Sequence, residues 1–375
     1  MNKFVPVNEP LLNGNEKKYI NECIDSGWIS SEGHFVETFE KEFAKKFNRK
    51  YGIAVSNGSV ALDLAMLVLG LDHGSEVIMP SFTIISCASA IIRAGLKPVL
   101  VDSDPDTWNM DVVQIEKKIT SKTKAIMIVH IYGLPVDVDK ILNLAQKYNL
   151  KIIEDTAEMI GQYYKDKPCG SFGDISTFSF YSNKHVTTGE GGMILTNNQN
   201  LAEKCRSFKN LCFKKERRFI HDELGFNYRL TNLQAALGLA QLENLEEHVN
   251  KKRYIGKFYM QNLKDIKYLQ LPKEERSYAQ NIYWVFGIIL KDNYSHDADY
   301  VIKELEKLGV GCRPFFWPMH EQPVLKRMGL FKNEKYPVAE NLARRGFYIP
   351  SGLAITDEQL NFVVKKVREF FNASI

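Results

Sequence analysis

One lysine in this sequence stands in a segment that suits covalent chemistry. Residues 173–192 read GDISTFSFYSNKHVTTGEGG, a run of hydroxyl, aromatic and glycine residues around Lys184. An amine in such surroundings can lose its charge, and the neutral amine can attack a carbonyl carbon to form an imine. One lysine among many carries no information, but the whole string predicts an imine-forming residue.

A second candidate is Asp155, which follows the apolar residues Ile152 and Ile153 at the expected carboxyl end of a strand. A carboxylate in that position is costly unless it is paired. The N–H of a protonated pyridine ring would pair it, and the ring could then accept carbanion electrons. For an isolated aspartate, a helix N-cap or a solvated loop carboxylate is the more common explanation.

A third segment, Ser56-Asn57-Gly58-Ser59, follows the apolar run Ile53–Val55 and precedes a helical pattern. Small residues let a ligand approach the backbone, and a helix N-terminus presents free N–H groups to an anion. The segment therefore predicts either a phosphate cradle or an ordinary helix cap.

The elements that would position these residues alternate between short apolar runs and amphipathic stretches. Helical patterns cover residues 59–69 and 137–148, and the alternation predicts βαβ units with a mostly parallel sheet buried on both faces. Ligands of such sheets bind at the carboxyl ends of the strands. The runs that we interpret as strands are 53–55, 76–79, 98–101, 125–129, 151–153 and 192–195.

The second half of the chain predicts a smaller α+β unit. Residues 229–262 have the pattern of one long helix that Thr231 or Asn232 would cap. A strand over 283–290, a helix over 297–308, a loop rich in proline and aromatic residues and a terminal helix over 357–371 follow. With 375 residues the chain is too long for one core, and we expect a large domain at 1–250 and a small domain at 251–375.

Composition excludes several classes of protein. Lys and Arg total 49 against 45 Asp and Glu, a net charge of +4, and the charges are interspersed, which argues against nucleic-acid binding. Six scattered cysteines without ligand spacing predict reduced thiols and no metal site. We find no secretory signal and no membrane span, so we expect a cytoplasmic protein with no membrane partner.

Taken together, these motifs resemble the DegT/DnrJ/EryC1/StrS family of sugar aminotransferases. The similarity is carried by SFSFY…NK…TTGEGG, and it extends from Gly27-Trp28-Ile29-Ser30-Ser31 through the segment 227–232 to Arg313-Pro314. The resemblance implies an aspartate-aminotransferase-like fold, that is, pyridoxal phosphate fold type I, with the large domain and small C-terminal domain expected above. It also implies pyridoxal 5'-phosphate as the cofactor.

The resemblance implies roles for individual residues by their position in the motifs. Lys184 occupies the Schiff-base position and Asp155 that of the partner of the pyridine nitrogen. Asn227 would serve the neighbouring subunit's phosphate, which implies a homodimer with shared active sites. The other cofactor positions are Gly58, Ser59, Glu158 and Ser179, and the positions near the substrate are Trp28, Ser30, Arg229, Arg313 and His320.

The activity implied is transfer of an amino group from glutamate to C4 of a nucleotide-linked 4-keto-6-deoxy sugar. Within the family the similarity is greatest to the branch that aminates GDP-4-keto-6-deoxymannose for surface-polysaccharide synthesis. The chain departs from the family at Ile84, where an aromatic residue usually stacks on the cofactor ring. Phe82 is expected to point to the other face.

Three other functions remain open on the sequence. In the first, the same cofactor chemistry acts on another acceptor, either a UDP- or dTDP-linked keto sugar or a small phosphorylated ketone such as dihydroxyacetone phosphate. The basic residues 214, 215, 217 and 218 would then contact a phosphate of that acceptor. Family members with histidine at the lysine position are sugar dehydratases, but counting from both flanking motifs places Lys184 there and His185 facing away. A non-enzymatic regulatory protein is the third alternative.

Overall fold

A computed structural model describes residues 4–214 and 216–373 of the chain. The described helices are α1 (Glu16–Ser26), α2 (His34–Lys46), α3 (Gly58–Val68), α4 (Ile85–Arg93), α5 (Val112–Lys118), α6 (Val138–Tyr148), α7 (Gln199–Phe208), α8 (Asn232–Glu243), α9 (Leu245–Leu263), α10 (Ala298–Lys307), α11 (Pro323–Arg327), α12 (Pro337–Arg345) and α13 (Asp357–Ala373). The described strands are β1 (Tyr51–Val55), β2 (Glu76–Pro80), β3 (Lys97–Val101), β4 (Thr123–Val129), β5 (Lys151–Asp155), β6 (Tyr163–Tyr164), β7 (Lys167–Pro168), β8 (Ile175–Ser179), β9 (Gly192–Thr196), β10 (Leu269–Gln270), β11 (Glu275–Arg276), β12 (Ala279–Gln280), β13 (Phe286–Leu290), β14 (Arg313–Pro314) and β15 (Gly346–Ile349).

A seven-stranded sheet in the order β1-β9-β8-β5-β4-β2-β3 forms the centre of the fold. The strands β8, β5, β4, β2 and β3 run parallel, whereas β9 is antiparallel to both of its neighbours. Val77 and Met79 of β2 pack with residues of α3 and α4, while Ile78 packs with residues of α5 and α6. Both faces are therefore buried, and the predicted mostly parallel sheet is confirmed.

The parallel strands bring their carboxyl ends to one edge of the sheet. In the registers of β4 with β5 and β5 with β8, Val129 lies beside Asp155 and Asp155 beside Thr177. The segments that follow these strands therefore meet at this edge, as expected for parallel sheets that bind ligands.

A second sheet, in the order β10-β13-β15-β14, is antiparallel. Its core contains Tyr259 of α9 with Phe286 and Phe347, and residues of α10 and α13 complete it. Val5 near the N-terminus bridges to Val310 beside this sheet. Helix α9 runs through the expected domain boundary at residue 250, and that boundary stays a prediction.

The expected single helix over 229–262 is wrong, because the chain forms α8 and α9 with a break at Asn244. The backbone of Asn244 has φ −99° and ψ 10°, outside the helical region, although the apolar periodicity continues across it. Thr231 caps α8, and its side chain and that of Gln234 form a reciprocal capping box. The strand expected from Tyr283 begins at Phe286 instead, since Tyr283 has φ +49°.

Within the described part of the chain, no helix combines the length and the apolar character needed to cross a bilayer.

Candidate active site

A cavity of about 300 Å³ lies at the carboxyl ends of β4, β5 and β8. Two connected features define it: the ends of the strands form one wall, and the N-terminus of α3 forms another. Together these walls contain six residues that the sequence predicted for a cofactor site, namely Gly58, Ser59, Asp155, Glu158, Ser179 and Lys184.

Lys184 projects its amine over an aromatic surface. It follows β8 in a turn in which its N–H donates to the carbonyl of Tyr181 at 3.0 Å. Its Nζ lies 3.8 Å from the centroid of the Trp284 indole. Burial lowers the pKa of Lys184, while the negative charges of Glu158 and Asp155 act in the opposite direction. The site therefore shifts the protonation equilibrium of this amine toward its neutral, nucleophilic form.

Asp155 is a buried carboxylate, 3% exposed, at the end of β5. Its Oδ1 accepts the N–H of Ala157 at 3.0 Å, and its Oδ2 accepts the Cys87 thiol at 3.4 Å. Burial raises the pKa of Asp155, against which its hydrogen bonds and the charge of Lys184 act. A ligand cation in the cavity would favour its ionised form.

Glu158 is a second buried acid on the same wall. Its Oε2 accepts the N–H of Tyr132 at 2.7 Å. Burial raises the pKa of Glu158 to about 8, and the charge of Lys184 lowers it. Its carboxyl is therefore protonated at neutral pH unless a cation enters the site, and a protonated carboxyl can donate a hydrogen bond to a ligand oxygen.

The N-terminus of α3 supplies the anion-binding features of the cavity. Asn57 caps the helix by accepting the N–H of Val60 at 3.0 Å, and the first-turn N–H groups of a helix have no intrahelical partner. A Cβ on Gly58 would lie 2.7 Å from the Cβ of Ser179, so only glycine fits there without movement. The Ser59 and Ser86 hydroxyls share a hydrogen bond of 2.8 Å at the same end. These groups can receive a phosphate.

Sequence reasoning did not single out several residues that line the cavity. Asn183 and Thr177 had no recognisable signal apart from the motif around Lys184, and Trp284 comes from a distant segment. His130 follows the strand run 125–129, so its position after an apolar run was a usable signal. Its Nδ1 accepts the N–H of Val136, which leaves Nε2 to donate to the buried Glu154 at 3.1 Å.

The side chains of Ile84 and Phe82 point to different sides of the chain, as expected for an extended segment. Ile84 lines the cavity and is 43% exposed. Phe82 is fully buried and packs against Tyr132 and Phe315. The cavity wall therefore has an aliphatic side chain at residue 84.

His185 does not line the cavity, although it follows Lys184. It is fully buried, and its carbonyl accepts a hydrogen bond from the His248 ring at 2.8 Å. The residue that this structure presents to the cavity is therefore the lysine.

The remaining predicted residues lie outside this cavity. Asn227 is exposed, Arg229 donates to Asn210 at 2.8 Å, and Arg313 is exposed with Glu306 3.7 Å away. The backbone carbonyls of Trp28 and Ser30 accept hydrogen bonds from Asn232, and both residues are exposed.

His320 is buried and hydrogen-bonded on both sides of its ring. Its Nδ1 lies 2.9 Å from the Ser81 hydroxyl and its Nε2 lies 3.0 Å from Glu340. Of the basic run, Lys214 forms an ion pair with Asp222, and Lys215 lies outside the described residues.

A buried aspartate, a desolvated lysine and a helix N-terminus around one cavity, at the carboxyl edge of this sheet, define a pyridoxal phosphate enzyme of fold type I. The chain belongs to the DegT/DnrJ/EryC1/StrS aminotransferase family, whose model matches residues 10–368. It is therefore an aminotransferase, and the membership confirms the expected fold class and cofactor.

Individual relatives cover nearly the whole chain. It is 43% identical to the GDP-perosamine synthase of Escherichia coli O157:H7, over 99% of each chain. It is 41% identical to the GDP-perosamine synthase of Caulobacter vibrioides, over 96% of each. The solved structure of the aminotransferase from Psychrobacter cryohalolentis superposes with a TM-score of 0.91 and 30% identity, over 99% of each chain.

The residues of the cavity fit pyridoxal phosphate. Within the described part of the chain, the Thr177 hydroxyl and the Asn183 side-chain oxygen are buried in its wall without a hydrogen-bond partner. Buried polar groups usually have hydrogen-bond partners, so both groups could form a hydrogen bond with a polar ligand. The anion-binding end beside Gly58 matches the phosphate of the cofactor. The buried acid Asp155 matches its ring nitrogen, and the amine of Lys184 matches its aldehyde.

Proposed function

We propose that this aminotransferase transfers an amino group from glutamate to C4 of GDP-4-keto-6-deoxymannose, the GDP-perosamine synthase reaction, for surface-polysaccharide synthesis. The convergence of Lys184, Asp155 and Glu158 on one cavity supports the chemistry. The identity of 43% and 41% with two GDP-perosamine synthases over nearly complete chains supports the substrate.

Lys184 would hold the cofactor through its amine, and Asp155 would pair with the ring nitrogen. When bound, pyridoxal phosphate supplies an electron sink for the carbanion that forms at the amino carbon. The carboxylate of Asp155 would hold a positive charge at the ring nitrogen, because a buried carboxylate needs a cationic partner. Once the donor's amino group has displaced it from the cofactor, Nζ of Lys184 would take the proton from the donor's α-carbon and deliver it to the former aldehyde carbon of the cofactor, which its lowered pKa favours.

The other cofactor contacts divide between the two ends of the cavity. Gly58, Ser59 and Ser179 would hold the phosphate at the N-terminus of α3. Glu158, protonated or ionised according to the charge nearby, would contact the ring hydroxyl.

A homodimer would complete each site. Asn227 is exposed and would reach the phosphate in the neighbouring subunit. The apolar side chains of Phe219 and Leu224 in the same loop are 79% and 92% exposed, which suits burial by a second copy of the chain. We propose a cytoplasmic homodimer in which Trp28, Ser30, Arg229, Arg313 and His320 lie near the substrate.

Steady-state rates with glutamate and a panel of ketones test the proposed substrate. The panel comprises GDP-4-keto-6-deoxymannose, the UDP- and dTDP-linked 4-keto-6-deoxy sugars and dihydroxyacetone phosphate. We expect kcat/KM for the GDP sugar to exceed the others by at least about tenfold, since a lost set of base contacts typically costs more than 1.4 kcal/mol. A higher value for any other ketone would overturn the assignment, and a deoxygenated product without amine would indicate a dehydratase.

A further inference from the structure

Lys252 is a buried lysine that does not line the cavity. It lies on α9 and is 1% exposed. Its Nζ donates to the carbonyl oxygens of Trp284 at 2.8 Å and Ser351 at 2.6 Å. Among the described residues it has no carboxylate partner, and burial, with the charge of Lys184, lowers the pKa of Lys252 to about 7. Burial of a charged amine costs free energy, and the two carbonyl contacts are the hydrogen bonds that offset this cost.

The two carbonyls lie where a β-ladder stops. Phe286 of β13 pairs with Ile349 of β15 as the final pair at this end of the ladder. The next residue of β15's chain is Pro350, which has no N–H and cannot extend the ladder. If the register continued, Val285 would oppose Pro350 and Trp284 would oppose Ser351. The ammonium group of Lys252 joins the carbonyls of this second pair instead.

Trp284 connects this bridge to the cavity. Its indole N–H donates to the carbonyl of Asn183 at 3.0 Å, and its ring carries the Lys184 amine at 3.8 Å from the centroid. The side chain is 4% exposed and lines the cavity wall. The backbone of Trp284 is thus fixed by Lys252, while its side chain contacts the segment that carries Lys184.

We propose that Lys252 is a positioning residue for the cofactor site: by bridging the Trp284 and Ser351 carbonyls, it fixes the indole against which the Lys184 amine lies. This inference rests on the proposed role of Lys184. Lys252 does not line the cavity, so its effect on the cofactor and substrate passes through Trp284.

The chain provides a matched control for substitution of Lys252. Tyr259 lies seven residues further along α9, on the same face, and is fully buried. Its hydroxyl donates to the carbonyl of Pro350 at 2.6 Å, next to Ser351. Tyr259→Phe therefore removes a hydrogen bond from the same helix to the same loop without releasing Trp284.

The experiment compares Lys252→Met, Tyr259→Phe and the wild type by Kd for pyridoxal phosphate, kcat, KM and thermal unfolding without cofactor. We expect Lys252→Met to weaken cofactor binding and to lower kcat, each by at least about tenfold, with KM for the keto sugar nearly unchanged, because a misplaced amine costs rate. Tyr259→Phe should change Kd and kcat by less than about twofold, even if it lowers the melting temperature as much as Lys252→Met does.

A double-mutant cycle tests whether Lys252 acts through Trp284. Trp284→Phe should itself weaken cofactor binding, and adding Lys252→Met to it should change Kd by less than about twofold, since coupled residues are not additive. Additive effects, or a wild-type Kd in Lys252→Met, would overturn the proposal. If Lys252→Met does not fold, Trp284→Phe decides: an unchanged Kd and kcat would also overturn it.

Borohydride reduction of the wild-type holoenzyme separates this proposal from the function on which it rests. If the cofactor is fixed on a residue other than Lys184, the assignment of the amine fails. If it is fixed on Lys184 while Lys252→Met behaves as the wild type, only the positioning role fails.

Discussion

The carboxylate of Asp155 accepts a hydrogen bond from the thiol of Cys87, with Sγ 3.4 Å from Oδ2. Cys87 lies in the first turn of α4, three residues after Ile84, so one short segment contacts both the carboxylate and the cavity. Burial raises the pKa of the Cys87 thiol well above its ordinary value, and the nearby negative charge of Asp155 raises it further. The thiol therefore stays protonated and acts as the donor.

Replacing Cys87 with valine should remove this donor and loosen the orientation of Asp155. A hydrogen bond to a buried group contributes about 1 kcal/mol, so we expect kcat/KM to fall about fivefold. Cys87→Ser keeps a donor and should retain most of the activity. Cys205→Val, at a buried cysteine of α7, is the control for loss of a thiol in the core. Equal losses in Cys87→Val and Cys205→Val would contradict the orienting role.

Glu158→Gln should change how the stability of the cofactor-free protein depends on pH. Burial raises the pKa of Glu158 to about 8, above its ordinary value of 4.5. Between these values the folded protein keeps a proton that the unfolded chain has released. The free energy of unfolding therefore falls as pH rises through this window and stops falling above about pH 8, with at most about 1.4 kcal/mol per pH unit from one proton.

Urea unfolding of both proteins between about pH 5 and about pH 8 measures this difference. The wild type should lose stability relative to Glu158→Gln as pH rises. The control Glu37→Gln replaces an exposed carboxylate of α2 and should run parallel to the wild type. A constant difference between wild type and Glu158→Gln would show that Glu158 ionises with an ordinary pKa.

Mixed dimers test whether Asn227 serves the neighbouring subunit. Lys184→Ala and Asn227→Ala homodimers should each have low activity. In a heterodimer, one site receives Lys184 from the Asn227→Ala subunit and Asn227 from the Lys184→Ala subunit. That site regains its full set of residues. After random subunit exchange, half of the dimers are mixed, so about a quarter of wild-type activity should return. Activity that does not rise on mixing, although exchange is demonstrated, would show that Asn227 acts within its own chain.

Much of the sheet could be predicted because its strands are apolar runs bounded by glycine, proline or aspartate. The antiparallel direction of β9 could not be predicted, since direction depends on the loop between Ser179 and Gly192 and leaves no trace in the apolar pattern. The break at Asn244 was missed for a similar reason: periodicity crosses it, and only the backbone conformation of one residue ends the helix.

The cofactor end of the site could be predicted from contiguous motifs around Gly58, Asp155 and Lys184. Trp284 could not, because only tertiary packing brings it beneath the lysine from a segment 100 residues away. The roles proposed for Trp28 and Arg313 stay predictions, since neither lines the cavity of one chain.

The covalent attachment of the cofactor to Lys184 is the central claim, and peptide mapping after borohydride reduction of the holoenzyme measures it directly. We predict that the added mass is found on the peptide containing Lys184, and that Lys184→Ala loses both this label and the visible absorbance of bound cofactor. A label on Lys252 or another lysine, or an unchanged spectrum in Lys184→Ala, would contradict the account.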